Sequence, residues 1–411
     1  MRTILSRYAL SMGAAAALLA ACSAARSPVT PLIPGVEQRV DSSASEKVLH
    51  RFPHGTRYPD AGLVDINGTL YGTTHGAGTD HGTVYTISLN GVVKTLFRFN
   101  GADGSNPSAN VIDVNGTLYG TTSNGGASNL GVVYSLTAKG VEKVLHSFAG
   151  GRDGANPAGG LTNVNGTLYG TTLIGGSNYC YLGEGCGTVY SVTTTGAERV
   201  LHRFETYYGS QDGASPDGTL LDVNGVLYGT TIWGGNAWGT VFSITTKGKE
   251  KVLYRFKGRP DGFGPGAGVI AVNGTLYGTT QGGGNGGSPC QFGFVGSCGT
   301  IFSVSTTGTE HVIYRFQGGL DGEWPASPLL DSKGTLYGTT SGDGVDCGIV
   351  YKTSPSGTEQ PLYGFKGGSD GCSPGGGLVD VSATLYGTTV VGGEGKGCNS
   401  NGCGTVFALT P

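Results

Sequence analysis

Charge is scarce in this chain: only 13% of its 411 residues are Asp, Glu, Lys or Arg, and the formal net charge is −3. No stretch concentrates Lys or Arg, so the phosphate-neutralising surface on which nucleic-acid binding rests is absent. After the first 22 residues no apolar run approaches the roughly 20 residues that a spanning helix needs. Neither a phosphate loop nor a zinc signature occurs. Glycan cleavage needs a positioned pair of carboxylates. The acids that break the pattern below (Glu184, Glu205, Asp217, Glu323, Asp343, Asp346 and Glu394) are scattered over different segments with no His or Arg constellation beside them. The sequence therefore assigns no catalytic residue, no metal and no cofactor.

Glycine is abundant instead, with 79 residues, and it is periodic. Leu-Tyr-Gly-Thr-Thr recurs with its tyrosines at Tyr71, Tyr119, Tyr169, Tyr228, Tyr277, Tyr337 and Tyr386, in steps of 48, 50, 59, 49, 60 and 49 residues. A period near 50 belongs to propeller blades rather than to shorter solenoid units. Within one unit, Gly62–Ile66 is a short apolar strand, and Asn67-Gly68 is a hairpin turn whose residues both tolerate positive φ. Thr69–Thr74, Gly82–Ile87 and Lys94–Phe99 complete four antiparallel strands. The Asn-Gly turn becomes Lys333-Gly334 in the sixth unit and Ser382-Ala383 in the seventh. The repeated tyrosines read as packing between blades.

The chain is cut out of phase with its repeat. A fourth-strand signature, Val48–Phe52, precedes the first unit, whereas the last unit ends on its third strand, Gly404–Leu409. The fold expected is all-β: a seven-bladed β-propeller, four antiparallel strands per blade, with residues 46–52 completing the last blade. Such closure removes an open sheet edge.

Residues 1–21 read as a secretory signal, with Arg2 and Arg7 before an apolar run. Its ending, Leu19-Ala20-Ala21-Cys22, resembles a bacterial lipobox, which implies a lipid on Cys22. Residues 22–45, with three prolines and several serines, read as a tether, and 46–411 as the propeller. The localisation expected is an exported lipoprotein of the bacterial outer membrane or cell surface. Eight further cysteines in an exported chain imply disulfides. Cys180 with Cys186, Cys290 with Cys298, and Cys398 with Cys403 are local pairs in loops between second and third strands. Cys347 and Cys372 remain, in two connections that emerge on the same face, and so form the fourth pair.

Those connections vary most between units and carry the aromatics that break the repeat: Tyr179, Tyr181, Tyr207, Tyr208, Trp233, Trp238, Phe263, Phe292, Phe294 and Trp324. Such rings stack on sugars, anchor a protein partner or cap blade ends. Asp-Gly-x-x-Pro recurs at Asp103, Asp153, Asp212, Asp261, Asp321 and Asp370, where an aspartate before glycine reads as a turn acceptor. The first unit has His54-Gly55-Thr56-Arg57-Tyr58-Pro59 there. His50, His146 and His202 share a position that is Tyr or Phe elsewhere, and read as interchangeable outer-strand residues.

Asn-Gly-Thr-Leu-Tyr-Gly-Thr-Thr, a Gly-Gly loop such as Gly125-Gly126, and Gly-Thr-Val-Tyr together resemble the GloVer tandem-repeat family of exported bacterial proteins. The resemblance covers about residues 46–411 and implies a surface repeat protein with varied anchoring and no established activity. The function expected is a lipid-anchored binding or scaffolding module. It would hold the membrane through lipid and take a glycan or protein ligand, but no nucleic acid, on the loop-rich face. The alternatives are a carbohydrate-active enzyme on the same scaffold and a purely structural envelope protein.

Overall fold

The computed structural model describes residues 41, 43–53, 58–76, 79–177, 180, 185–205, 211–284, 290, 297–342, 347–393 and 402–411. In blade one, Val64–Ile66, Thr69–Thr74, Thr83–Ser88 and Val93–Arg98 succeed one another as inner, second, third and outer strands. Blades two to six repeat that order. Blade seven takes Val379–Val381, Thr384–Thr389 and Thr405–Thr410 from the end of the chain and its outer strand, Ser45–Arg51, from the beginning. Ser45 pairs with Thr410 and Arg51 with Thr405, so seven four-stranded blades close as a β-propeller. No helix among the described residues is long and apolar enough to cross a membrane.

Each residue of the repeated phrase has its own task. The leucines, such as Leu70, Leu168 and Leu227, are fully buried between blades. The tyrosines reach across to the next blade; Tyr386 packs with Leu63 and Leu70 of blade one. The glycine lies opposite a third-strand aromatic in register, Gly72 with Tyr85 and Gly229 with Phe242. A Cβ on Gly229 would meet the Phe242 ring at 2.6 Å, well inside van der Waals contact. The first threonine donates to the next blade's backbone, as Thr73 Oγ1 does to Ala109 O at 3.3 Å and Thr388 Oγ1 to Ala61 O at 3.0 Å. The second threonine binds the third strand of its own blade, with Thr74 and Thr83 hydroxyls 2.8 Å apart.

Aromatic rings link the blades into a circle. The phenylalanine that follows each outer strand meets the third-strand aromatic of the next blade edge-on, at centroid distances of 5.0 to 5.2 Å. Phe52, at the end of the closing strand, supplies the joint between blades seven and one through Tyr85. Backbone adds a second circle at the residue before each blade's proline. Tyr58, Asn106, Asn156, Ser215, Trp324 and Ser373 stand at φ 55–61°, with Gly264 at 64°. Left-handed backbone is costly for side chains other than glycine. Here the amide donates to the preceding blade and the carbonyl accepts from its own: Asn156 N binds Leu130 O at 2.8 Å, and Leu173 N binds Asn156 O at 3.0 Å. Those two bonds offset the local cost and hold adjacent blades together.

The two-residue turns keep one geometry in all blades, Asn67 at φ 55° and Gly68 at 80°, and even Ala383 is held at 63°. In blades one, four, six and seven an inner-strand carboxylate fastens that turn; Asp65 Oδ1 accepts from Gly68 N and Asp380 Oδ1 from Ala383 N, both at 2.9 Å. Cys180–Cys186, Cys290–Cys298 and Cys347–Cys372 are disulfides. Cys403 is also disulfide-bonded, and Cys398 lies outside the described residues. These bonds suggest an extracytoplasmic protein.

Candidate functional site

The loop-rich face carries the connections from second to third strands and from one blade to the next. Six of its repeat-breaking aromatics (Tyr179, Tyr181, Tyr207, Tyr208, Phe292 and Phe294) lie outside the described residues, as do Cys22 and the tether up to residue 40. Phe263 is buried, and Trp238 packs on it with centroids 5.3 Å apart, so this pair caps a blade end. Trp324 is half-buried and belongs to the left-handed circle. Trp233 is 36% exposed, on a short ribbon that pairs Gly213–Ala214 with Trp233–Gly234. Of the four, Trp233 is the most exposed.

At the outer rim, sequence reasoning missed a clamp. The Asp-Gly aspartates do accept backbone bonds, for example Asp153 from Ala149 N at 2.7 Å and Asp261 from Lys257 N at 2.9 Å. Five of the six also face a polar outer-strand side chain of their own blade. His146 Nε2 lies 3.2 Å from Asp153 and His202 Nε2 3.2 Å from Asp212, while Tyr254, Tyr314 and Tyr363 donate to Asp261, Asp321 and Asp370 at 2.9, 2.6 and 2.8 Å. A glutamate at the start of the next blade's outer strand completes the group. Burial, and then the neighbouring aspartate, pushes Glu46, Glu142, Glu250 and Glu310 up to about 7. Burial raises Glu198 and Glu359 as well. Against the burial that would raise it, the bonds from His146 and the Ala149 amide hold the Asp153 carboxyl below its ordinary value.

The signal for this clamp was present in the sequence. Six junctions carry both an aspartate and a glutamate, whereas the seventh, between blades seven and one, lacks both: Gly55 and Val93 stand in their places. Donor atoms of His146, Asp153 and Glu198, and of His202, Asp212 and Glu250, lie within 4.8 Å of one another and could hold a divalent ion. Equivalent junctions are built with Tyr or Phe in place of His, which makes the inter-blade clamp the common role. Cys290, Cys298 and Glu323 also cluster, but both sulfurs are spent in a disulfide. The string Gly367-Gly368-Ser369-Asp370-Gly371 has Gly-x-Ser-x-Gly form, yet it is a rim turn with no helix after it, so it is no nucleophile elbow.

One position of the loop-rich face breaks the repeat with charge. The residue after each blade's proline is Asp60, Ser108, Ala158, Asp217, Gly266, Ala326 or Gly375, all half-buried. Five of the seven are small, and two are carboxylates. Burial, and secondarily the charge of Asp60, push the Asp217 carboxyl up to about 6. Blades one and four are three steps apart round a ring of seven, so these groups feel each other across the axis. Among the described residues, His75 pairs with Asp60: its Nε2 lies 3.9 Å away and is buried with no hydrogen-bond partner.

No curated protein matches the sequence. Similar solved folds include a gluconolactonase from Xanthomonas campestris, at 11% identity over 90% of each chain with a TM-score of 0.44. The PQQ-bound aldose sugar dehydrogenase of Streptomyces coelicolor is 15% identical over 90% of this chain and 99% of that one, with a TM-score of 0.45. The endosialidase of phage phi92 is 11% identical over 89% and 68%, with a TM-score of 0.49. Likeness at this level says nothing of chemistry. The family assignment rests on the repeat itself: the model of the Gloeobacter/Verrucomicrobia repeat matches residues 35–182 and 181–407, and the chain belongs to that family.

Proposed function

We propose that this protein is an exported, envelope-tethered binding module that takes a glycan or protein ligand on its loop-rich face. One observation carries the reading: departures from seven-fold equivalence concentrate on that face, while the opposite turns keep one geometry in all blades. Disulfide-stapled connections, exposed Trp233 and the carboxylates of Asp60 and Asp217 all lie there. The closing strand is consistent with it, because Ser45 pairs with Thr410 at the turn face, opposite the loops. Lipid on Cys22 would hold the tether to the membrane, and a Cys22→Ser chain expressed with labelled fatty acid should take up none.

A glycan array probed with the exported chain tests the ligand class. Retention without product is expected, and Trp233→Ala should weaken it at least tenfold. Undiminished retention by that variant removes Trp233 from the site, and product release would make the protein a carbohydrate-active enzyme instead.

A further inference from the structure

We propose that the two rim junctions built with histidine, between blades two and three and between blades three and four, each bind a divalent cation of the zinc class. Three side chains bring donor atoms together at each: His146, Asp153 and Glu198 at the first, His202, Asp212 and Glu250 at the second, all within 4.8 Å of one another. A tetrahedral ion about 2.1 Å from its ligands sets them about 3.4 Å apart. Imidazole Nε2 and aspartate already stand 3.2 Å apart at both junctions, so only the glutamate has to draw in.

The tyrosine junctions show what histidine leaves undone. There one phenolic hydroxyl serves both acids: Tyr254 bonds Asp261 and Glu310, and Tyr363 bonds Asp370 and Glu46. Imidazole Nε2 serves only the aspartate. Glu198 meets His146, and Glu250 meets His202, through charge alone, and Oε1 of each is shut from solvent with no hydrogen-bond partner. Two carboxylates so close repel one another, and a cation among the three donors answers both. The clamp itself does not require the nitrogen, because Phe97 fills the same position beside Asp103 and Glu142.

The ligands are also held in advance. His146 stands edge-on to Phe148 with centroids 4.8 Å apart, and His202 to Phe204 at 4.7 Å. Behind the carboxylates, Asp153 accepts from Ala149 N at 2.7 Å, and Asp212 from Glu205 N at 3.1 Å and Gly213 N at 2.8 Å. Such outer hydrogen bonds are what orient metal ligands. Arg203 and Arg255 lie in electrostatic range, but they bond the carbonyl oxygens of Arg152 and Gln211, at 2.9 and 2.7 Å. One imidazole with two carboxylates suits zinc and its neighbours, whereas calcium asks for six to eight oxygens. Three protein donors leave a coordination position for water. His50 repeats the strand position and the packing, on Phe52 at 4.9 Å, but its junction lacks both acids. Metal binding at the rim is independent of the ligand that the loop-rich face takes.

The test uses full-length, tag-free protein with its disulfides intact, stripped of metal by a chelator and titrated calorimetrically at pH 7.5 with zinc, calcium and magnesium chlorides in separate arms. Two equivalents of zinc per chain are expected, with calcium and magnesium at least a hundredfold weaker. His146→Phe and His202→Phe should each remove one equivalent, and the double variant both. His50→Phe should keep both. Glu198→Gln, which preserves the side chain's shape, should weaken one site at least tenfold and spare the other. X-ray absorption at the zinc edge should report one imidazole per ion. Zinc should raise the melting temperature of the native chain and leave that of the double variant unmoved. Fewer than two equivalents, zinc uptake that survives the double variant, or calcium held as tightly as zinc would each overturn the assignment.

Discussion

The rim glutamates make stability depend on pH in an unusual direction. In the unfolded chain a glutamate loses its proton near pH ~4.3. In the propeller Glu46, Glu142, Glu250 and Glu310 keep theirs until about 7, because burial and an adjacent aspartate disfavour the second charge. Between those values the native state binds more protons, so stability falls as pH rises and then levels off above 7. The full shift would be worth about 3.7 kcal/mol per site, but these side chains are partly solvated and screened, and about 1 kcal/mol each is the realistic share. Four sites then give about 4 kcal/mol. The folded unit spans Arg39–Pro411, and at about 2.1 cal/mol/K per residue its unfolding entropy is ~0.8 kcal/mol/K. The melting temperature should therefore drop by about 5 °C between pH 4.5 and 7.5. Non-reducing calorimetry across that range measures it, beside the combined variant Glu142→Gln, Glu250→Gln and Glu310→Gln. The variant should lose most of the slope and melt about 4 °C above the native chain at pH 8. A native melting temperature that is flat or rises over the window, or an unchanged slope in the variant, would refute the shared-proton clamp.

Two further perturbations test the packing. Phe52→Ala empties a buried joint between the first and last blades; it should cost about 3–5 kcal/mol and lower the melting temperature by about 4–6 °C in the same calorimeter. Tyr190→Phe removes a buried hydroxyl that has no partner among the described residues, at a position where Phe242, Phe302 and Phe407 already serve. Chemical denaturation should find that variant within about 0.5 kcal/mol of native or up to about 1 kcal/mol more stable.

Blade number, strand order, the borrowed outer strand and the Cys347–Cys372 bond were all legible in the sequence, because they rest on local signals: a repeated phrase, two-residue turns and loop composition. The strand expected at 46–52 runs Ser45–Arg51, and Phe52 passes into the joint with blade one. The rim clamp was illegible to motif reading because its members sit on neighbouring blades, Asp153 and Glu198 for instance, and no spacing rule joins them. Comparing repeats would have exposed it, since Val93 replaces the glutamate only where the aspartate is also missing. The pair Asp60 and Asp217 is harder still: Asp217 stands out as an acid that breaks the repeat, but the effect of Asp60 on it comes from a distant blade and has no local signal.

The strand that closes blade seven also sets the order of assembly. Its partner, Thr405–Thr410, follows all six other blades in the chain, so Ser45–Arg51 waits through their synthesis without a sheet to join. Contacts between such distant segments slow folding, although the entropy of bringing them together grows only gently with distance. Maturation of this protein is consequently gated by arrival of Thr405–Thr410 at the site of folding, and a nascent chain arrested short of that strand would present two unsatisfied sheet edges to whatever chaperone or neighbour is at hand.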